Sequence, residues 1–144
     1  MRSTRRSALR TIAGGSIALA AGPRHSTAAK PTFFTPAQLD TLAALVDLII
    51  PRTDMPAASD VGVHHIIDRV VSAATPLQKP WLEGIARADA EAITAGAEAF
   101  SKLARTQQAL ILERAEKSGP TFFDLLKGST IDAYYSTRDG LVTM

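Results

Sequence analysis

The sequence predicts an all-α protein, a small irregular bundle of about five helices behind an N-terminal signal segment. Three observations point there. Apolar residues recur at three- and four-residue spacing through the segments after residue 35. Proline- and glycine-marked breaks separate those segments. No stretch sustains two-residue alternation with β-branched enrichment, so a sheet has no sequence support.

The first helix is expected to begin at Thr35. Thr is a good N-cap, Pro36 suits the first helical position, and Gln38 completes a capping box. Leu39, Leu42, Leu45, Val46, Ile49 and Ile50 then follow at helical spacing, and Pro51 ends the run. Phe33 or Phe34 can staple the first turn. Residues 51–59 read as a loop. A second helix is expected from near Asp60, with Val63, Ile66, Ile67, Val70 and Val71 inward. Pro76 and Pro80 bracket the start of a third, about Trp81 to Phe100. Its face of Trp81, Ile85, Ala88, Ala92 and Ala99 is mostly small. Thr106 is expected to cap a fourth helix that carries Ala109, Leu110, Leu112 and Ala115. Gly119 and Pro120 separate it from a fifth, roughly Thr121 to Ser136, with Phe122, Phe123, Leu125, Leu126, Ile131, Tyr134 and Tyr135.

The first 29 residues have another character. Arg5 and Arg6 precede an uncharged, small-residue run from Thr11 to Gly22. Paired arginines ahead of such a run predict a twin-arginine export signal over residues 1–29 and a helical domain over 30–144. The run has 12 residues, whereas a membrane-spanning helix needs about 20. Ser26, Thr27, Ala28 and Ala29 suit cleavage after Ala28 or Ala29. The expected location is the periplasm, or the periplasmic face of the inner membrane through a complex, with the twin-arginine translocase as one partner.

Composition removes several function classes. The formal charge of +2 comes from the leader, which holds five arginines and no acid. From Lys30 onward 11 Lys and Arg face 14 Asp and Glu, a net of −3. The basic balance therefore carries no nucleic-acid surface. The absence of cysteine excludes disulfides, thioether haem attachment and thiolate metal sites in this chain.

Four segments stand out: the twin-arginine leader, Phe34 to Leu39 (FTPAQL), Ile49 to His64 (IIPRTDMPAASDVGVH) and Phe122 to Gly140 (FFDLLKGSTIDAYYSTRDG). Together they resemble the gluconate 2-dehydrogenase subunit 3 family. The resemblance covers nearly the whole chain, and its specific parts are the central loop and the last helix. It implies a non-catalytic small subunit of a flavin dehydrogenase that oxidises sugars or sugar acids. The large subunit holds FAD, and a c-type cytochrome subunit with haem c takes the electrons. The small subunit supplies the export signal and assists assembly. Met55 and Ala57 stand where the family usually has Thr and Gly, and Ser136-Thr137 reverses a usual order. The family pattern continues past Gly140 into a cysteine-bearing tail, so this chain, which stops at Met144, is expected to lack that tail.

The candidate sites are few. Arg5 and Arg6 are the export signal. His64 and His65 are helix neighbours about 100° apart, which argues against a shared metal. Asp60 and His64 have a spacing that could hold a metal, but Asp60 as an N-cap accounts for it. Thr53 and Asp54 fit a structural turn or a contact to the large subunit. Asp132, Tyr134, Tyr135 and Ser136 lack the glycine-rich strand-to-helix turn that a dinucleotide needs. No Ser, His and acid form a defensible triad. Phe122, Phe123, Tyr134 and Tyr135 are either core or a partner-facing patch, and with Thr53 and Asp54 they are the expected interface. No catalytic, cofactor-binding or metal-ligating residue is expected here. The alternative function is an independent exported helical binding module without an enzyme partner.

Overall fold

The computed structural model describes residues 32–143, with side chains through Thr137. Its α-helices are α1 (Pro36–Ile49), α2 (Val63–Ala73), α3 (Thr75–Thr94), α4 (Arg105–Ser118) and α5 (Pro120–Thr143). Short 3-10 turns lie at Ala58–Val61 and Phe100–Lys102. Among the described residues there is no strand. The all-α bundle expected from periodicity is the fold observed. No helix of the described residues is long and apolar enough to cross a membrane.

Helix α1 starts as its local sequence dictates. Thr35 Oγ1 accepts from the Gln38 amide at 3.1 Å, and Gln38 Oε1 accepts from the Thr35 amide at 2.9 Å. This reciprocal box satisfies two donors that the first turn would otherwise leave open. Phe34 and Leu39, the positions that staple a helix start, are both buried. Leu42, Leu45 and Val46 complete the inward face. Each of the other four helices packs on α1, and each of the other four also packs on α5. These two elements bracket a core that includes Trp81, Ile85, Phe100 and Leu126.

Several expected boundaries and faces are corrected. The second helix does not start at Asp60: a 3-10 turn comes first, and Gly62 at φ 82° leads into α2. Asp60 is the third residue of that turn rather than an N-cap, and its Oδ2 accepts from the Ala57 amide at 2.9 Å. The buried face of α2 is Val63, Ile67, Asp68 and Val71. Val70 lies at the edge of that face, 100° around the helix from Val71, and is 52% exposed.

Helix α3 begins at Thr75, six residues earlier than expected, and takes Pro80 inside it. The amide that Pro80 lacks would have bonded Pro76, whose exposed position leaves that carbonyl to water. The helix also ends earlier, at Thr94. Gly96 adopts φ 97°, donates to the Ile93 carbonyl, and is followed by Ala97 donating to Ala92. That is a Schellman stop, which only a residue tolerant of positive φ makes without strain. Ala99 therefore lies outside α3, and Phe100 turns back into the core.

Helix α4 is capped by Ala104 without a side-chain bond, not by Thr106. Its inward face is Gln108, Ile111 and Leu112, which leaves Ala109 exposed and Leu110 53% exposed. Gln108 is buried because its Nε2 donates to the Phe100 carbonyl at 2.9 Å. Helix α5 runs past the expected Ser136, to Thr143. At its start the Phe122 ring meets Trp81 edge-on, with centroids 5.5 Å apart. It lies so close to Gly84 of α3 that a Cβ there would overlap the ring. The missing side chain of Gly84 is what lets α5 approach.

Candidate functional site

Sequence reading places the interface on two segments, the Thr53-Asp54 loop and the aromatics of α5. The structure joins them through one hydrogen bond. Tyr134 is 4% exposed, and its hydroxyl donates to the Pro56 carbonyl at 2.9 Å. The loop is also internally fixed. Thr53 Oγ1 accepts from the Met55 amide at 3.1 Å, while the Thr53 amide donates to the Met55 carbonyl at 2.9 Å. Of the two turn formers, Thr53 makes the turn. Asp54 is exposed, with no hydrogen bond or ion pair among the described residues. Arg52 and Asp60 close the base of the loop with a 2.6 Å ion pair.

The four candidate aromatics separate. Phe122 and Phe123 are half-buried and packed against the core, and Tyr134 belongs to it. Tyr135 is the one whose side chain is offered to solvent, at 56% exposure. Its ring stays edge-on to Tyr134, with centroids 6.0 Å apart. A tyrosine fixed by its neighbour presents an apolar face and a polar tip at low entropic cost, which suits a docking contact. Arg5 and Arg6 lie outside the described residues.

Two grooves accompany these segments. One, of about 280 Å³, runs between α3 and α4 over Ile111, Leu112 and Phe122. Glu91 of its lining is held by a 2.7 Å ion pair with Arg114. The other, of about 310 Å³, lies between α2 and α5 over Ile67, Val71, Trp81 and Ala133.

The histidines behave differently from the expectation of divergence. Their rings come together, with centroids 4.1 Å apart. Both Nδ1 atoms are buried without a hydrogen-bond partner. Burial first, and then His65, push His64 down to about 4, against the attraction of Asp47 and Asp68. His65 is also lowered, by burial first, with Asp68 opposing and Arg69 assisting. Asp60 is taken by Arg52 and Ala57, and no group of three potential metal ligands occurs among the described residues.

These shifts predict a pH dependence. The folded state resists protonation of His64 between its ordinary 6.5 and about 4, whereas the unfolded chain takes the proton. Stability is therefore fully present above pH 6.5 and falls as pH drops towards 4. The expected loss is about 2 kcal/mol, after allowance for solvent around a half-buried ring. Urea unfolding at pH 7 and pH 4.5 measures it. His64→Gln should remove most of the slope, and an unchanged slope would assign the loss to other groups.

Sequence reading missed the acids that matter most. Asp68 is 1% exposed and accepts from three consecutive amides, Thr32 at 2.6 Å, Phe33 at 2.9 Å and Phe34 at 2.8 Å. Asp89 accepts from Thr41 Oγ1 at 2.8 Å and from the Phe100 amide at 2.9 Å. Asp47 accepts from both the amide and the hydroxyl of Ser59 at 2.7 Å. Each carboxylate pins an irregular segment to a helix, a use of charge that rests on satisfied hydrogen bonds. Their residue types alone carry no such signal.

Comparison with known proteins follows the sequence resemblance. Residues 36–141 match the family model described as Gluconate 2-dehydrogenase subunit 3. That span takes in all of α1 to α4 and nearly all of α5. No curated protein and no solved structure matches. The chain belongs to the gluconate 2-dehydrogenase subunit 3 family, whose name makes it a subunit of a dehydrogenase complex.

Proposed function

We propose that this member of the family is the non-catalytic small subunit of an exported, flavin-dependent sugar or sugar-acid dehydrogenase. The large subunit of that complex holds FAD and performs the oxidation, and a c-type cytochrome subunit with haem c accepts the electrons. The small subunit docks on the folded flavin subunit, assists its assembly, and carries it through the twin-arginine translocase by the Arg5-Arg6 leader. The complex then works in the periplasm or on the periplasmic face of the inner membrane. The observation that carries this proposal is the family match over residues 36–141. The geometry supports it in one further respect. The aromatic α5 segment is tied to the central loop by Tyr134 and leaves Tyr135 exposed beside it, a surface that can dock.

Co-purification tests the proposal. Full-length chain, tagged at its C-terminus and expressed in its native host, should bring down an FAD-containing dehydrogenase. Tyr135→Ala removes an exposed ring, so the melting temperature should stay within a few degrees. Loss of an exposed aromatic contact should nonetheless cost on the order of 2 kcal/mol of binding, about thirtyfold in affinity. Retention of the flavoprotein by this variant would move the contact away from Tyr135. Absence of any flavoprotein with the wild-type chain would overturn the subunit assignment and favour an independent binding module.

A further inference from the structure

Helices α2 and α5 do not close fully on each other. Between them the groove of about 310 Å³ is floored by Ile67, Val71, Trp81 and Ala133. One lip is Val70, 52% exposed. The opposite lip is α5, which contributes Ser129, Asp132 and Ser136. Asp132 is the only charged residue among those that line this groove. It is exposed and makes no ion pair or hydrogen bond among the described residues. Asp54 and Asp124 are likewise exposed and unpaired among the described residues, but neither lines this groove. Tyr135 lies 60° around α5 from Asp132, on the side away from the groove, and is not among the residues that line it.

A slot of this kind has a defined complement. Its apolar floor favours aliphatic or aromatic anchors at i, i+3 or i+4 spacing, as in helix-in-groove recognition. A lone carboxylate beside that floor favours a Lys or Arg flanking the anchors, because a charge left unpaired when the groove is covered would be costly. The two serine hydroxyls can serve either donors or acceptors and do not select.

We infer that the α2–α5 groove receives an amphipathic segment of the flavin subunit, with apolar anchors over Trp81 and a basic side chain on Asp132. This rests on the proposed subunit function and adds to it the docking place and the chemistry of the partner. Tyr135, beyond Asp132, then lies at the outer margin of the same contact.

The chain has no cysteine, so single-cysteine variants report one position each. Val70→Cys and Ser136→Cys mark the two lips, Thr53→Cys marks the loop, and Leu110→Cys marks the exposed face of α4. Each full-length variant is expressed in the native host, and its purified complex is treated with a maleimide–benzophenone cross-linker. The joined peptides are identified by mass spectrometry. The lips should join a flavoprotein through a peptide carrying Lys or Arg beside its apolar anchors, and Leu110→Cys should not. Asp132→Lys, placed in the Val70→Cys background, should reduce that product at least tenfold, with unchanged helical content and melting temperature. Flavoprotein joined only from Thr53→Cys or Leu110→Cys would overturn the groove and leave the subunit function standing. A second copy of this chain joined at Val70→Cys would mark the groove as a self-association surface and overturn the inference. No flavoprotein from any position would overturn both.

Discussion

Replacing Asp68 with alanine is expected to lower the stability of the domain by about 3–5 kcal/mol. The buried carboxylate accepts from the amides of Thr32, Phe33 and Phe34. Bonds to a charged acceptor contribute about 1.5–3 kcal/mol each, and a buried donor left open costs a comparable amount. At least the Phe34 amide would be stranded, because its residue is 2% exposed. Against this, alanine removes the cost of desolvating a charge, which keeps the sum below three full bonds. The loss is a large share of the 5–15 kcal/mol that holds a domain folded, so the melting temperature should fall by roughly 15 °C or more. Thermal and urea unfolding followed by circular dichroism measure it. Asp68→Asn keeps one carbonyl acceptor and should lose less. A loss under about 1 kcal/mol for Asp68→Ala would show that residues 32–34 do not depend on the clamp.

The second large effect concerns export. Replacing both Arg5 and Arg6 with lysine keeps the leader's charge, yet the proposed twin-arginine signal should be lost almost completely. Arginine offers a planar fork of donors and lysine a point charge, so a receptor that reads the pair does not accept the exchange. The measurement is the chain's distribution between periplasmic and cytoplasmic fractions, together with flavin dehydrogenase activity in each. A flavin subunit without its own leader should stay in the cytoplasm with the altered chain. Normal periplasmic activity in the double variant would remove the carrier role. Export of the chain alone, with the flavin subunit left behind, would retain the leader and remove the coupling.

The readable parts of this fold are those with local causes. The start of α1 is legible because Thr35, Pro36 and Gln38 act within one turn. The buried Trp81, Ile85, Ala88 and Ala92 of α3 are legible because their spacing is the helix period. The start of α3 is not, since Pro80 reads as a break unless its neighbours are known to tolerate it inside. The face of α4 turns on Gln108, a polar residue whose burial depends on a carbonyl eight residues earlier. Leu110 then has no core to face, although its type suggests one. The Asp68 clamp is the strongest case. Its donors are three backbone amides that have no side-chain identity and lie 34 to 36 positions upstream.

The candidate surface divides in the same way. Its aromatic content is visible in the sequence, but the partition between core and solvent is not. Tyr134 and Tyr135 are chemically identical neighbours; Tyr134 falls towards the buried Leu126, Thr130 and Ala133, and a carbonyl 78 residues earlier takes its hydroxyl. The groove between α2 and α5 is lined from both helices, by Val70 on one and Asp132 on the other, a relation that periodicity within one helix does not contain.

The place of α5 also fixes an order in time. It packs on each of the other four helices, and through Tyr134 it holds the backbone of Pro56, 78 residues earlier. A chain leaves the ribosome from its N-terminus. Helices α1 to α4 therefore emerge with their α5-facing surfaces uncovered and with the Pro56 carbonyl still open. Contacts of such long separation form late and leave apolar surface exposed meanwhile. The residues proposed as the leader are made first, whereas the core is completed last. For the proposed twin-arginine export, which would carry the chain already folded, the interval between those two events is when a nascent-chain chaperone has most to protect.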